Sequence, residues 1–184
     1  MNGYMNSGIR VSYPRTKYTR LNNTIKDKIG KIIFNYMNQA ADSYLNNFTY
    51  TLDISYEDYS YENIESFVFF VSSSTGGAHP DNTIFTINYD SSIDKIITID
   101  DLVRKNNNIL AVLSRESYNT LSKNKNITDK QMFMEGLKPT TDNFSNIVFT
   151  PIGIKIYFPQ YQIAPYSAGS FQVLVNYKNI WICV

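Results

Sequence analysis

The chain has 184 residues, 43% hydrophobic and 18% charged, a balance that excludes a disordered polyelectrolyte and suffices for a self-supporting core. A net charge of +1 without a basic stripe argues against nucleic-acid binding. The single cysteine, Cys183, excludes an internal disulfide framework and a cysteine-based zinc cage.

The stretch Gly8–Pro14, "GIRVSYP", reads as a short strand ended by proline. Leu21, Ile25, Ile29, Ile32, Ile33, Tyr36, Ala40 and Tyr44 then recur at three- and four-residue steps, which predicts a long amphipathic helix laid on a sheet. Asn22, Asn23 and Thr24 are its N-cap candidates, and Asn46-Asn47 could close it. From Phe48 to Tyr56 apolar and polar residues alternate, the pattern of a half-buried strand. A polar turn over Glu57–Asn63 leads to "FVFFV", Phe67–Val71, apolar without alternation and therefore a central strand. "SSTGGAHPD", Ser73–Asp81, connects it to "TIFTINY", Thr83–Tyr89.

In the second half, "ITIDDLV" spans Ile97–Val103, and Asn106–Asn108 could start a helix carrying Ile109, Val112, Leu113 and Leu121. "TDKQ", Thr128–Gln131, matches a capping box ahead of a short helix that Gly136 and Pro139 would stop. "NIVFTPIGIKIYF" places Ile152, Ile154, Ile156 and Phe158 on one strand face, and Phe171, Val173, Val175 and Tyr177 do the same in "SFQVLVNY". Between them lies "PQYQIAPYSAG", Pro159–Gly169, rich in tyrosine and proline. The expected class is α+β, with antiparallel sheet or sheets, the long N-terminal helix and shorter helices in the second half. Residues 1–184 form one domain on this reading, with possible halves 1–95 and 96–184 sharing a core.

The candidate chemistry is sparse. His79 is the only histidine, and no G-x-S-x-G elbow or nearby thiol would complete a nucleophilic triad. Neither a catalytic residue nor a metal ligand set is assigned, and no P-loop or dinucleotide fingerprint implies a cofactor. Asp100 and Asp101 are sequence neighbours, and in a strand they would point to opposite faces. In "TGGAHP" the two glycines can supply positive φ while His79 bonds the loop backbone, or the loop can serve recognition, as polar loops between rigid strands often do. "PQYQIAPYSAG" has the same two readings, a packed loop or a tyrosine-bearing contact surface. Four Asn-x-Ser/Thr sequons begin at Asn22, Asn47, Asn126 and Asn143, a number that chance produces in so asparagine-rich a chain.

Charge is uneven along the chain. Met1–Phe48 carries seven basic and two acidic residues, whereas Thr49–Asp101 sets ten acidic residues against Lys95, a balance of −9. Such a block can be a solvated face or can steer a cationic partner. No apolar run is long enough to span a bilayer, and "MNGYMNSGIR" lacks the pattern of a signal peptide. A protein that works outside the cell would therefore need an export segment beyond this chain.

"VSYP" before "LNNTI", then "SSTGGAHPDN", "ITIDDLV" and "FTPIGIKIYFPQYQIAPYSAG" resemble, in this order, the extracellular domain of RsiV-type anti-sigma factors. The same domain resembles a region of PdaC-type polysaccharide deacetylases and of bacterial lipoproteins. The resemblance spans roughly Gly8–Tyr177. It implies a non-catalytic sensor or binding module at the extracellular face of the cell envelope, tethered by a segment absent from this chain. The implied partner is a basic, lysozyme-like protein or a peptidoglycan fragment, and the acidic segment would speed encounter with the former. If the two motif loops lie side by side, the contacts are Ser73, Ser74, His79, Pro159, Tyr161 and Tyr166. A second class stays open: an accessory or catalytic domain acting on cell-wall polysaccharide, with His79 or the acidic turn in its site.

Overall fold

The structure, a computed structural model, describes residues 7–41 and 50–181. The expectations for Tyr44, Asn46, Asn47, Phe48 and Cys183 lie outside the described residues. The architecture is α+β. One sheet has five strands in the order β1-β2-β3-β4-β5, formed by Ser7–Val11, Tyr50–Tyr61, Ile64–Ser74, Asp81–Asp90 and Lys95–Ile97. A second sheet has three, β6-β7-β8, formed by Ile147–Thr150, Gly153–Phe158 and Phe171–Asn176. The chain divides into two compact units: residues up to Glu57 with Phe69–Thr83, and Asp58–Val68 with the chain from Ile84 onward. Strands β2, β3 and β4 each contribute residues to both.

In the first unit, helix α1 (Thr19–Ala41) connects β1 to β2, which pair in parallel from Ser7↔Tyr50 to Val11↔Ile54. A helical crossover returns the chain to the end where it began, so the next strand runs the same way as the first. This parallel pair makes the sheet mixed, a feature that the alternation of apolar residues does not encode. On α1, Leu21, Ile25, Ile29 and Tyr36 are buried, and Ile32, Ile33 and Ala40 are half-buried, the stripe that the spacing predicts. The helix begins at Thr19, ahead of the expected caps. Asn22 instead ties the entrance from inside the first turn: its Oδ1 accepts from Thr16 N (2.9 Å) and Oγ1 (3.0 Å), and its Nδ2 donates to Thr16 O (2.8 Å). Tyr50, Leu52 and Ile54 are buried along β2, alternating with exposed Thr51 and Ser55.

Strand β3 is the middle of five, and four consecutive residues, Ser66 to Phe69, are buried along it. This is the central strand read from the unbroken apolar run. The β2–β3 turn is shorter than expected, only Glu62-Asn63, with Glu62 at φ 53°. Strand pairing continues through Glu57–Tyr61 because the tyrosines there have partners: Tyr59 Oη lies 3.0 Å from Tyr157 Oη, and the Tyr61 ring stacks on Tyr177 at 4.7 Å.

The second unit builds its core from the three-stranded antiparallel sheet and four short helices: α2 (Ile99–Lys105), α3 (Ile109–Leu121), α4 (Lys130–Gly136) and α5 (Tyr177–Trp181). Ile109, Val112, Leu113 and Leu121 of α3 join Ile154, Ile156, Phe158, Val173 and Val175 in one buried cluster. The segment expected as one strand, "NIVFTPIGIKIYF", is a hairpin. Pro151 cannot donate to a ladder, and the turn it opens is tied by Thr150 Oγ1, which donates to Gly153 O (2.8 Å) and accepts from Gly153 N (3.2 Å). Ile152 therefore sits exposed in the turn rather than on the buried face. Tyr177 likewise starts α5 instead of ending β8. The α4 cap is Asp129, one residue beyond the expected threonine, with Asp129 Oδ1 accepting from Met132 N at 2.9 Å.

Asp100 and Asp101 occupy the first turn of α2, not a strand. Asp101 accepts through Oδ2 from Thr98 N (3.0 Å) and Oγ1 (3.2 Å), and its Oδ1 pairs with Lys95 Nζ and Arg104 (2.7 Å). Thr98-x-x-Asp101 is thus a capping arrangement, a helix-start signal that outranks the β-branched run before it.

Candidate functional site

The glycine loop, Thr75–Pro80, belongs to the first unit and joins β3 to β4. Of its two glycines only Gly76 takes a positive φ, 89°, so the left-handed requirement falls on one position rather than two. A Cβ at Gly77 would meet His79 O at an ordinary 3.6 Å. His79 is exposed, and its Nδ1 lies 3.0 Å from Pro80 O. A carbonyl only accepts, so this contact requires the tautomer protonated at Nδ1. The imidazole thereby braces the exit of the loop. Ser73 and Ser74 are half-buried at the end of β3. Among the described residues, no group of three or more His, Cys, Asp or Glu side chains is placed to hold a metal ion.

The loop Pro159–Gly169 belongs to the second unit. Its middle is anchored: Ile163 and Ala164 are fully buried, and Gln162 Nε2 donates to Gly136 O (3.1 Å) and Asn143 O (2.9 Å). Asn143 in turn donates through Nδ2 to Glu135 O (2.9 Å) and Lys138 O (3.0 Å), which commits that sequon side chain to the fold. At Gly136 the loop backbone packs so closely that a Cβ would lie 2.0 Å from Gln162 O. The far half closes as a 3₁₀ turn, Tyr166–Ala168, with Gly169 at φ 78°.

Against this anchored base, Tyr161 is 55% exposed and sits at φ 67°. A non-glycine residue in the left-handed region costs about 1–2 kcal/mol and persists only where its surroundings over-determine it. The surroundings here are the Gln162 bonds, Gln162 N to Pro159 O (3.2 Å) and Gln160 Nε2 to Tyr166 O (3.1 Å). The Tyr161 and Tyr166 rings lie 5.6 Å apart, tilted by 39°. Of the six residues expected from sequence, the structure brings Tyr161 and Tyr166 together, with half-buried Pro159 at the loop entrance. Ser73, Ser74 and His79 are grouped at the other loop, in the first unit. The supporting residues Gln162, Asn143 and Gly136 were not legible, because each matters through a backbone group distant in sequence.

Next to this loop in the chain, β7 carries a second aromatic group. Lys155 Nζ donates to Tyr59 Oη (2.9 Å) and lies 5.2 Å and 5.0 Å from the ring centres of Tyr59 and Tyr157. Tyr157 is buried, so this cluster stiffens β7 rather than presenting a face.

Part of the chain is similar to a known family. Residues 100–178 match DUF3298, a family described as "Protein of unknown function". That span contains Pro159, Tyr161 and Tyr166 and leaves out Ser73, Ser74 and His79. A curated relative, "Peptidoglycan-N-acetylmuramic acid deacetylase PdaC" of Bacillus subtilis (strain 168), is 28% identical over 170 residues. The alignment covers 90% of this chain and 36% of the relative, so the chain spans about a third of that protein's length. Two solved structures of DUF3298 proteins have similar folds at 17% identity. The one from Bacteroides fragilis has a TM-score of 0.58, covering 87% of this chain and 64% of its own; the one from Pseudomonas aeruginosa PAO1 has 0.54, with 71% and 60%. The expected kinship with PdaC-type proteins is therefore found in the sequence, and the α+β fold is shared with DUF3298 structures.

Proposed function

We propose that the chain is a non-catalytic binding module at the outer face of the bacterial cell envelope, which recognises its ligand with the Tyr161–Tyr166 loop. One observation carries the reading: Tyr161 is held exposed, at a strained φ of 67°, by a network that serves its placement. A chain gains stability by relaxing such a residue, and a rigid amphipathic ring in a pre-ordered loop is what a contact surface needs. The partner proposed first is a basic lysozyme-like protein. The RsiV-type resemblance supports it, as does the −9 balance of Thr49–Asp101, which would raise the association rate. Ser73, Ser74 and His79 belong to this proposal as contacts of the first unit.

A peptidoglycan fragment is the second ligand, favoured by the activity for which the 28% identical relative is named. Calorimetric titration separates the two. With a basic animal lysozyme, binding should weaken as salt rises, and Tyr161→Ala should weaken it by about 30-fold, the equivalent of a hot-spot loss near 2 kcal/mol. Heat with purified muropeptides instead would transfer the same loop to a saccharide ligand. Silence with both ligands, or an unaltered affinity in the alanine variant, would end the proposal. Turnover of peptidoglycan by the wild type and not by His79→Ala would replace it with the enzymatic reading.

A further inference from the structure

Helix α1 belongs to the first unit and turns one side away from its buried stripe. Leu21, Ile25, Ile29 and Tyr36 are buried on the inner side, but Phe34 is 64% and Met37 56% exposed. At 3.6 residues per turn Phe34 falls nearly opposite the buried stripe, with Met37 beside it one turn on. Lys26 and Lys31, both exposed, fall on the two sides of that pair. Packing within the chain does not require two large apolar side chains bracketed by lysines on the outer side of a surface helix.

The charge of the same segment is one-sided as well. Residues 15–31 hold six basic side chains, all of them exposed, against Asp27 alone. Lys26 and Lys31 have no ion pair among the described residues, and Lys17 lies 5.2 Å over the Tyr18 ring. Nor do these cations serve the helix. The first turn of α1 has no acidic residue and carries Arg20, the reverse of the pattern that the helix dipole favours.

We infer that this side of α1 rests on the surface of an anionic lipid bilayer. The basic side chains meet headgroup phosphates, while Phe34 and Met37 enter the boundary with the acyl chains and the lysine stems reach back to the headgroups. Charge alone would suit any polyanion. The apolar pair among the lysines selects a surface that offers negative charge and a hydrocarbon phase together. A second copy docked symmetrically would bring the same basic side against this one and be repelled. No described helix is long and apolar enough to cross a membrane, so the contact is peripheral. The inference uses no residue of the tyrosine loop and is independent of the ligand proposed for it.

Co-sedimentation of the whole chain with vesicles tests it, using phosphatidylcholine alone and an equal mixture of phosphatidylglycerol and phosphatidylcholine. Binding is expected to the mixed vesicles and not to the neutral ones, and it should weaken as salt rises from about 0.05 M to about 0.5 M. Lys26→Gln combined with Lys31→Gln should weaken partitioning about 10-fold, and Phe34→Ser combined with Met37→Ser about 10-fold as well. These positions are exposed, so circular dichroism should show the fold retained, and the lysine variant keeps the test valid if the apolar one unfolds. Soluble poly(glycerol phosphate) supplies the charge without the hydrocarbon, and sedimentation velocity reports self-association. Equal binding to neutral vesicles, no binding to mixed ones, or undiminished binding in either double variant would overturn the inference. Tighter binding to poly(glycerol phosphate) than to the vesicles would overturn it in favour of a polyanion, and self-association lost in the Phe34→Ser, Met37→Ser variant in favour of a second copy.

Discussion

Replacing Asp101 by alanine removes three things at once. The carboxylate caps α2 by accepting from Thr98, and it pairs with Lys95 and with Arg104. Loss of a cap costs about 1 kcal/mol. The two cations are 52% and 65% exposed, so each pair adds well under 1 kcal/mol. The carboxylate itself is only 11% exposed, which reduces screening on its side. The sum for Asp101→Ala is about 2 kcal/mol, a fall in Tm of about 5 °C for a chain of this size. Asp101→Asn keeps an oxygen for Thr98 and loses only the charge, so it should cost about half as much. The pH dependence gives a sharper test. Lys95, the backbone of Thr98 and Arg104 together hold the Asp101 carboxyl well below the usual carboxylate range, against the opposing effect of burial. A depressed folded-state pKa stabilises the fold in full above the unfolded value, about 3.9, and that contribution is lost as pH falls through the folded value. Urea unfolding of wild type and Asp101→Ala should therefore show a gap that is constant from pH 7 down to about 5 and closes progressively below about 4. A gap under about 0.5 kcal/mol at pH 7, the level of an ordinary surface change, or one indifferent to acid, would refute the reasoning.

Other substitutions probe the loop and the cores. Gly136→Ala places a Cβ 2.0 Å from Gln162 O, where backbone must yield; chemical denaturation should show a loss of about 1–3 kcal/mol, and faster amide exchange at Gln162 and Ile163 would locate it. Tyr36→Phe removes a buried hydroxyl that has no partner among the described residues, so thermal unfolding should show unchanged stability or a gain of up to about 1 kcal/mol; a clear loss would mean that the hydroxyl is satisfied. Tyr161→Gly relieves the positive φ and should raise Tm while weakening the proposed ligand binding at least as much as Tyr161→Ala does, because glycine adopts this conformation without strain; a lowered Tm would show that the ring packs for stability.

Most of the secondary structure was legible because periodicity reports burial directly. Leu21, Ile25 and Ile29 mark a helix face, and the unbroken Phe67–Val71 marks a strand in mid-sheet. One misreading came from a turn-like polar segment whose partners are remote. Glu57 and Asp58 look like a turn, yet the strand continues because Tyr59 and Tyr61 find Tyr157 and Tyr177 about a hundred residues on. Two signals were local and could have been used: Thr98-x-x-Asp101 announces a helix start, and Pro151-Ile152-Gly153 announces a hairpin.

The candidate site divides along the same line. Composition left the tyrosines of the proline-rich loop with two readings, packed against the core or offered as a contact surface. That Tyr161 would be strained does not follow from composition, because left-handed φ at a tyrosine is visible only after Gln162, Gly136 and Asn143 have been brought together. Positive φ alone does not mark a recognition loop, since Glu62 in the β2–β3 turn has it too; at Tyr161 it coincides with an exposed aromatic ring. A loop shaped only to cover a core has no reason to hold its most exposed ring in a costly conformation, whereas one shaped to meet a partner accepts that cost in the free state so that less ordering remains on binding.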